Sequence, residues 1–522
     1  MVHGTDYVGE HKAPWELKFR GLNDRQKADA DYPVQKLARA FEEGSTQFFV
    51  NDREHPYQSD SAHPFTWIRG HHVGGRSLTW GRCSLRIGEF NLTEPARDGQ
   101  GLDWPFRYGD IDRWYTHVED FAGISGTREG LEVVPDGQFL PPIPLNCVEE
   151  HVGASVRKHF PGRTLIPERT AVLSVNHRGR AACHYCGPCY RGCATGSYFS
   201  SQSSTLPAAR ATGNLTLRAH AIVEGVDHDP ATKRASGVRT IDGKTGERRT
   251  FTAKLIFLNA STVATTQILL NSRSEAFPNG LANRSGVLGH YLMDHVMGPL
   301  ITARMPGFTD RQPLGNRPSG FYIPRFRNVA RNDSPFIRGY GFQGRACRET
   351  WTRGPEIDAI GADLKAELRK PGPWHVMIGG MGECLPYVDN QITLDERQTD
   401  KWGIPQVRIR FEWRGNEKAM AEDMVREGAA MLAAAGGEIT YQNSALVPGG
   451  LAIHEMGTAR MGRDPANSVL NAHNQAHDVA NLFVTDGACM PGSAAQNPSL
   501  TYMALTARAC EYAVAQLKAG AI

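Results

Sequence analysis

Residues 253–272, AKLIFLNASTVATTQILLNS, constrain the fold of this chain more than any other stretch. They pass from an apolar run typical of a buried strand, through a turn of small residues, into an amphipathic helix. A second such passage closes the chain: an apolar strand at 482–485 leads to Asp486 and Gly487, and a helix is predicted over 497–518. Strand-to-helix units of this kind build layered α/β domains, in which strand ends present ligand-binding groups.

The middle of the chain has a different pattern. Residues 214–226 alternate as a strand does, and a turn before GVRTID predicts a hairpin. Residues 389–413 hold two alternating runs, followed by a strong helix that ends at Gly436. The stretch 306–375 is rich in Pro, Gly and Arg and is predicted to form long loops. A separate domain with an antiparallel sheet is therefore expected here.

Composition excludes several classes of protein. Apolar residues make up 40% of the 522 residues and charged residues 22%, which is ordinary globular composition. The net charge of +3 predicts no nucleic-acid partner. No apolar run reaches the roughly 18 residues that a membrane span needs, and the N-terminus has no readable export signal.

Four of the ten cysteines fall within ACHYCGPCYRGCATG at 182–196. The spacing C-x2-C-x2-C-x3-C matches the ligand run of bacterial ferredoxins and predicts a three-iron or four-iron cluster. A zinc site, a local disulfide and purely structural thiols stay open as alternatives. The four candidate ligands are Cys183, Cys186, Cys189 and Cys193.

Five ordered motifs carry a family resemblance. They are VGGRSLTWG at 73–81, NASTVATTQILLNS at 259–272, LGHYLMDH at 288–295, GECLPYVDNQITLD at 382–395, and the C-terminal set HEMGTARMG, NLFVTDGACMPG and QNPSLTYMALTARACEYA. Together they resemble the glucose-methanol-choline family of flavin-dependent oxidoreductases over most of the chain from about residue 12.

The resemblance implies a catalytic pair, His454 and Asn497. Oxidising an alcohol requires a base near neutral pKa at the hydroxyl while the hydride leaves for flavin N5. His454 is the expected base. Asn497 can donate to the same oxygen without competing for the proton, so its expected role is orientation. A satisfied structural histidine and a helix cap are the alternatives.

The resemblance also implies an FAD site. Its expected residues are Gly74, Gly75, Ser77, Val223, Asp486, Gly487, Asn497 and Ser499. Covalent flavin attachment is not expected, because SLTWG stands where covalently flavinylated relatives have a histidine and His71 and His72 precede it. The usual first βαβ unit with its GxGxxG turn is expected to be missing, since residues 1–21 resemble the segment that comes after that unit in the family. GYGFQG at 339–344 is a poor glycine-to-helix entry and is interpreted as a chance match.

The predicted fold is α/β (α+β), a FAD-binding domain from discontinuous segments plus a substrate domain with a mostly antiparallel sheet. The FAD domain is assigned to 1–105, 200–295 and 450–522, and the substrate domain to 106–199 and 296–449, with the cysteine cluster at 183–193.

The predicted function is an FAD-dependent dehydrogenase (EC 1.1) that oxidises a secondary hydroxyl of a sugar or glycoside to a keto-sugar. Electrons are expected to leave through the iron–sulfur cluster to a cytochrome or quinone. A small partner subunit with an export signal would place the chain in the periplasm; otherwise a cytoplasmic location is expected. An oxygen-using oxidase and a flavin-free binding or assembly subunit are the alternatives.

Overall fold

The computed structural model describes residues 25–42, 44–187 and 189–522. Residues 1–24, which the sequence places in the FAD domain, lie outside that range, as does Pro188 of the cysteine cluster.

The described residues form ten α-helices. In chain order these are α1 Arg25–Asp31, α2 Glu89–Leu92, α3 Glu94–Asp98, α4 Asp112–Ala122, α5 Cys147–His159, α6 Leu206–Ala211, α7 Thr262–Asn271, α8 Gly361–Arg369, α9 Gly415–Ala434 and α10 Ser499–Lys518. They also form fourteen strands: β1 Gln58–Ser59, β2 Ile166–Pro167, β3 Ala221–Asp229, β4 Arg234–Asp242, β5 Arg248–Thr252, β6 Ile256–Leu258, β7 Leu300–Met305, β8 Phe321–Ile323, β9 Tyr340–Arg348, β10 Trp374–Gly382, β11 Gln391–Thr399, β12 Pro405–Arg410, β13 Glu438–Asn443 and β14 Leu482–Val484.

The first of the two large cores is the α/β layer predicted from the sequence. Strands β6 and β14 pair in parallel, with Leu482 opposite Ile256. Helix α7 contributes Val263 and Leu269 to this core, and α10 contributes Leu505. The strand-to-helix passages are therefore confirmed. The meander β3–β4–β5 and the mixed sheet β1–β12–β11 are the smaller sheets.

The second large core lies under a six-stranded sheet of order β13–β7–β10–β9–β8–β2, whose pairs are all antiparallel. Helices α5 and α9 pack on it through residues such as Val152 and Met424. The predicted combination of an α/β layer with an antiparallel sheet is thus confirmed.

Three local predictions need correction or comment. The 214–226 strand begins only at Ala221, because residues 214–216 are exposed. The stretch 306–375 is not all loop, since it contains β8, β9 and α8. The β11–β12 hairpin, which the sequence assigns to the substrate domain, packs in the first core through Ile392 and Ile409. The domain boundaries stay a prediction.

None of the helices among the described residues is long and apolar enough to cross a bilayer.

Candidate active site

His454 and Asn497 come from different segments and meet at one place. His454 lies in the loop after β13, and Asn497 lies two residues before α10. Asn497 Nδ2 lies 3.2 Å from His454 Nε2. The structure therefore brings the predicted catalytic pair into direct contact.

Asp294 anchors the loop that carries His454. Its Oδ1 accepts from the backbone amides of His295 (2.9 Å) and His454 (3.1 Å), and its Oδ2 accepts from those of Gly450 (2.7 Å) and Ala452 (3.2 Å). Burial raises the pKa of Asp294 to about 7, although these amide donors act in the opposite direction. One side chain thus fixes four backbone positions around His454.

His295 determines which nitrogen of His454 carries the proton. His295 Nε2 lies 2.8 Å from the carbonyl oxygen of Ala494, which can only accept, so this nitrogen bears the hydrogen. Burial lowers the pKa of His295 to about 4 and that of His454 well below its usual value, so both rings are neutral near pH 7. His295 Nδ1 is then an acceptor, and His454 Nδ1, 2.7 Å away, must donate to it. His454 Nε2 is left with a lone pair that faces Asn497.

Gln343 contacts Asn497 from the six-stranded sheet. Gln343 Nε2 lies 2.5 Å from Asn497 Oδ1. The motif at 288–295 contains Asp294 and His295 but does not indicate their roles, and no sequence pattern marks Gln343, which stands inside GYGFQG. The structure confirms that GYGFQG is no dinucleotide turn, because Tyr340–Arg348 is a strand.

A cavity of about 410 Å³ opens beside His454. Of the predicted cofactor residues, Gly75, Val223, Asp486 and Gly487 line it. The apolar part of the wall includes Trp67, Ile222 and Ile268, and the polar part includes His71, His72, Arg76, Ser261, Glu455 and Tyr502.

An ion pair between half-buried Arg76 and buried Glu455 stiffens the cavity wall. Arg76 donates to both oxygens of Glu455, at 3.3 and 3.0 Å, and to Ser261 Oγ at 2.6 Å. Deeper in the wall, Asp486 accepts from Thr265 Oγ1 at 2.5 Å, and burial raises the pKa of this carboxyl to about 6. The wall therefore carries fixed charges that are already paired.

The Gly-Gly loop turns sharply at the cavity. Gly74 and Gly75 have φ of +95° and +54°, left-handed values that suit glycine. Ser77, predicted to bind the cofactor, braces this loop: its hydroxyl donates to Gly74 O at 2.5 Å and accepts from Ser201 N at 3.0 Å.

The N-terminus of α10 lies at the cavity. Pro498 caps the helix without a side-chain hydrogen bond, and Tyr502 N closes the first turn onto Pro498 O. Both residues line the cavity. The predicted Ser499 instead pairs its hydroxyl with Tyr502 Oη at 2.9 Å. First-turn amides of a helix attract an acceptor or an anion.

Of the four clustered cysteines, Cys186 is exposed and Cys183, Cys189 and Cys193 are half-buried. Burial is the main cause that raises the pKa of Cys183 to about 11. Within the described ranges, no three His, Cys, Asp or Glu side chains are grouped to hold a metal ion. The predicted iron–sulfur site is therefore not supported by the part of the chain that the structure describes.

Comparison with known proteins gives matches of several kinds. The N-terminal model of the GMC oxidoreductases matches residues 57–297, and the C-terminal one matches 386–506. The 2-methyl-1,2-propanediol dehydrogenase of Mycolicibacterium austroafricanum is 30% identical over 80% of this chain and 76% of that protein. The fructose dehydrogenase large subunit of Gluconobacter japonicus is 24% identical over 86% of this chain and 81% of its own. A formate oxidase variant from Aspergillus oryzae superposes with a TM-score of 0.58 at 13% identity, covering 99% and 93% of the two chains.

Proposed function

Because the chain belongs to the GMC oxidoreductase family, we propose that it oxidises a hydroxyl group of a sugar or glycoside, with His454 as base and Asn497 as the group that orients the hydroxyl. The family makes the chain an oxidoreductase acting on alcohol groups. One observation carries the assignment of roles: His454 Nε2 has a lone pair and lies 3.2 Å from the amide of Asn497.

The cavity residues fit FAD, the cofactor of this family. His72 Nε2 is buried at the cavity and has no hydrogen-bond partner in the part of the chain that the structure describes. A Cβ at Gly75 would meet nothing within 4 Å, so this loop leaves room on its open side. The residues proposed to hold the cofactor are Gly74, Gly75, Ser77, Val223, Asp486, Gly487, Asn497 and Ser499, of which Gly75, Val223, Asp486 and Gly487 line the cavity. When bound, the flavin supplies the hydride acceptor.

The chain's own residues handle the proton. His454 Nε2 accepts the hydroxyl proton, and its Nδ1–H stays bonded to His295 Nδ1 throughout. Asn497 donates through Nδ2 and holds the alcohol oxygen without competing for that proton. Asp294 keeps the His454 loop in place, so only the Asn497 N–H has to move from Nε2 to the alcohol oxygen before proton transfer.

A secondary sugar hydroxyl, oxidised to a keto-sugar, is the finer part of the proposal. The fructose dehydrogenase relative supports a sugar, whereas the 2-methyl-1,2-propanediol dehydrogenase supports a small diol as a second candidate. A panel of hexoses, glycosides and diols, assayed by reduction of an artificial dye, separates them. Turnover of diols alone would overturn the sugar assignment.

The acceptor is proposed to be external, a cytochrome or a quinone, as in a dehydrogenase. The fructose dehydrogenase relative is named as a large subunit, which supports a small partner subunit here. Electron exit through an iron–sulfur centre at the thiol cluster stays a prediction. Iron analysis tests it, since Cys186→Ser should remove iron that the unchanged protein holds.

A visible spectrum of the purified protein tests the whole proposal. Flavin absorption bands at about 370 and 450 nm are expected. In a turnover assay, dye reduction is expected to be faster than peroxide formation. Peroxide as the main product would make the protein an oxidase. Absence of flavin and of turnover would favour a binding or assembly subunit.

A further inference from the structure

We propose that Gln343 is a positioning residue that fixes which end of the Asn497 side-chain amide faces His454. The proposal rests on the proposed function, in which His454 and Asn497 handle the substrate hydroxyl. It assigns the direction of a hydrogen-bond chain that runs from the six-stranded sheet to the base.

Gln343 is held in place by its strand. It lies in β9, opposite Gly379 of β10 and Tyr322 of β8. Tyr322 is buried, and Gly379 has no side chain to compete for the space, so Gln343 reaches out of the sheet toward Asn497. The contact joins residues that are 154 positions apart in the chain.

The contact of Gln343 with Cys83 determines that Nε2, and not Oε1, of the Gln343 amide faces Asn497. Gln343 Nε2 also lies 3.5 Å from the sulfur of Cys83. The Cys83 thiol is hydrogen-bonded to the Glu168 carboxyl. Burial, together with that carboxyl, raises the pKa of Cys83 well above its usual value. The S–H therefore donates to Glu168, and the sulfur accepts from Gln343. Both hydrogens of Gln343 Nε2 are then used, one on Cys83 and one on Asn497 Oδ1.

His454 requires the same orientation of the Asn497 amide from the opposite end of the hydrogen-bond chain. His454 Nε2 carries a lone pair, because its Nδ1 donates to His295. Asn497 must therefore present Nδ2 to His454 Nε2, which leaves Oδ1 for Gln343. With both amides reversed, Asn497 Oδ1 would face Nε2 and require a second proton on the buried imidazole. Burial disfavours that cation.

Gln343 thus selects the neutral, proton-accepting form of His454. By occupying Asn497 Oδ1 it also keeps one Asn497 N–H beyond the bond to His454 available for the alcohol oxygen. A residue that merely filled space at position 343 would have neither effect.

The test is histidine ¹⁵N NMR on the purified holoprotein without substrate, with the His454 signals assigned by their loss in His454→Ala. In the unchanged protein we expect the Nδ1-protonated tautomer and a His454 pKa well below the usual value. Gln343→Glu puts an acceptor where a donor stood, which turns Asn497 so that its oxygen faces His454. We expect the His454 pKa to rise by at least about one unit. The ionisable groups near position 343 are Cys83, Glu168 and Tyr322.

Gln343→Leu removes the donor without adding charge. We expect a mixture of His454 tautomers and a kcat reduced about tenfold or more, with KM changed little. The matched control is Gln391→Glu, which adds the same charge to a strand of another sheet and should leave the His454 signals unchanged.

Unchanged His454 signals in Gln343→Glu and Gln343→Leu would overturn the proposal. The NMR result does not depend on turnover, so a wild-type protein inactive on every substrate would defeat the proposed function and leave this measurement to decide the role of Gln343. An active wild type with unchanged signals in both variants would defeat the positioning role alone.

Discussion

At the residue scale, the proton positions on two neighbouring imidazoles decide the chemistry. Ala494 O fixes the hydrogen on His295 Nε2, and this in turn fixes the hydrogen of His454 on Nδ1. His295 is fully buried and is not required to touch the substrate. It acts through His454, as a positioning residue.

His295→Ala should therefore impair turnover. His454 would lose its Nδ1 acceptor and divide between two tautomers, so kcat should fall on the order of 10- to 100-fold. The buried Ala494 carbonyl would also lose its donor, which costs roughly 1–3 kcal/mol of stability. Steady-state kinetics and chemical denaturation measure the two effects. An unchanged kcat would remove His295 from the positioning role.

His454→Ala should abolish turnover and leave flavin bound. Loss of a general base costs roughly 100- to 10,000-fold in rate, whereas the cavity wall is built mainly from other residues. Dye reduction and the flavin-to-protein absorbance ratio measure the two quantities. His159→Ala, at an exposed histidine at the end of α5, is the control. Full activity in His454→Ala would exclude the base role.

His72 should make folding sensitive to acid. Its Nδ1 donates to Phe48 O at 3.0 Å, and burial lowers its pKa to about 4. A histidine whose pKa is lower in the folded than in the unfolded state stabilises the fold fully above the unfolded-state pKa of about 6.5. As the pH falls toward 4, this contribution to the free energy of unfolding, about 3 kcal/mol, is lost. The stability difference between wild type and His72→Gln should shift by about this amount between pH 7 and 4, as urea unfolding would show. A constant difference would contradict the burial argument.

At the element scale, glycines in similar-looking stretches serve different purposes. Gly344 lies inside β9, where a Cβ would approach Phe321 Cζ to 2.4 Å and Ile378 Cγ2 to 2.7 Å. Gly487 lies at the cavity, where a Cβ would approach the carbonyl oxygen of Glu455 to 2.3 Å. The first glycine permits packing of the sheet, and the second permits the wall of the cavity beside His454 to close.

Gly344→Ala should cost stability without loss of flavin. Overpacking of a core typically costs about 1–3 kcal/mol, and this glycine does not line the cavity. Gly487→Ala should lower flavin occupancy, because the backbone at Glu455 must shift. Thermal unfolding and flavin absorbance of the two variants separate the effects. Flavin loss in Gly344→Ala would show that the packing of β9 also supports the cofactor site.

The elements that sequence predicts well are those with a clear period. Helices α9 and α10 and the unit β6–α7 follow from apolar spacing within short windows. Strand β9 escapes prediction because Gly341, Gly344 and Arg345 break the alternation of apolar residues. Motifs predict His454 and Asn497 as a catalytic pair, whereas they do not point to Gln343, since its contact with Asn497 is encoded by no local pattern.

At the scale of the whole molecule, the site joins the two large cores. Met293 bridges to Met456 on the first-core side, and Val296 bridges to Gly382 of the antiparallel sheet. His295 lies between these two bridges in the chain. A ligand in the adjacent cavity therefore contacts a place on which the packing of both cores depends.

Removal of flavin should lower the thermal stability of the protein. A ligand that binds only the folded state at about 100 times its Kd stabilises by about 2.7 kcal/mol. Thermal scans of deflavinated protein, with and without added FAD, should show Tm restored upward by FAD. Adenosine alone is a control expected to restore less. Equal Tm values with and without FAD would contradict binding in the cavity.

The contacts around His454 and Asn497 also determine when the candidate site can form during folding. Its contacts join His295 to His454 across 159 residues and Gln343 to Asn497 across 154, and β6 pairs with a strand near the C-terminus. Such long-range contacts form slowly, because the chain loses conformational entropy before the contacts begin to stabilise the fold. During synthesis the base has no finished surroundings until Asn497 and α10 leave the ribosome. On refolding, recovery of activity should accordingly lag behind recovery of helix.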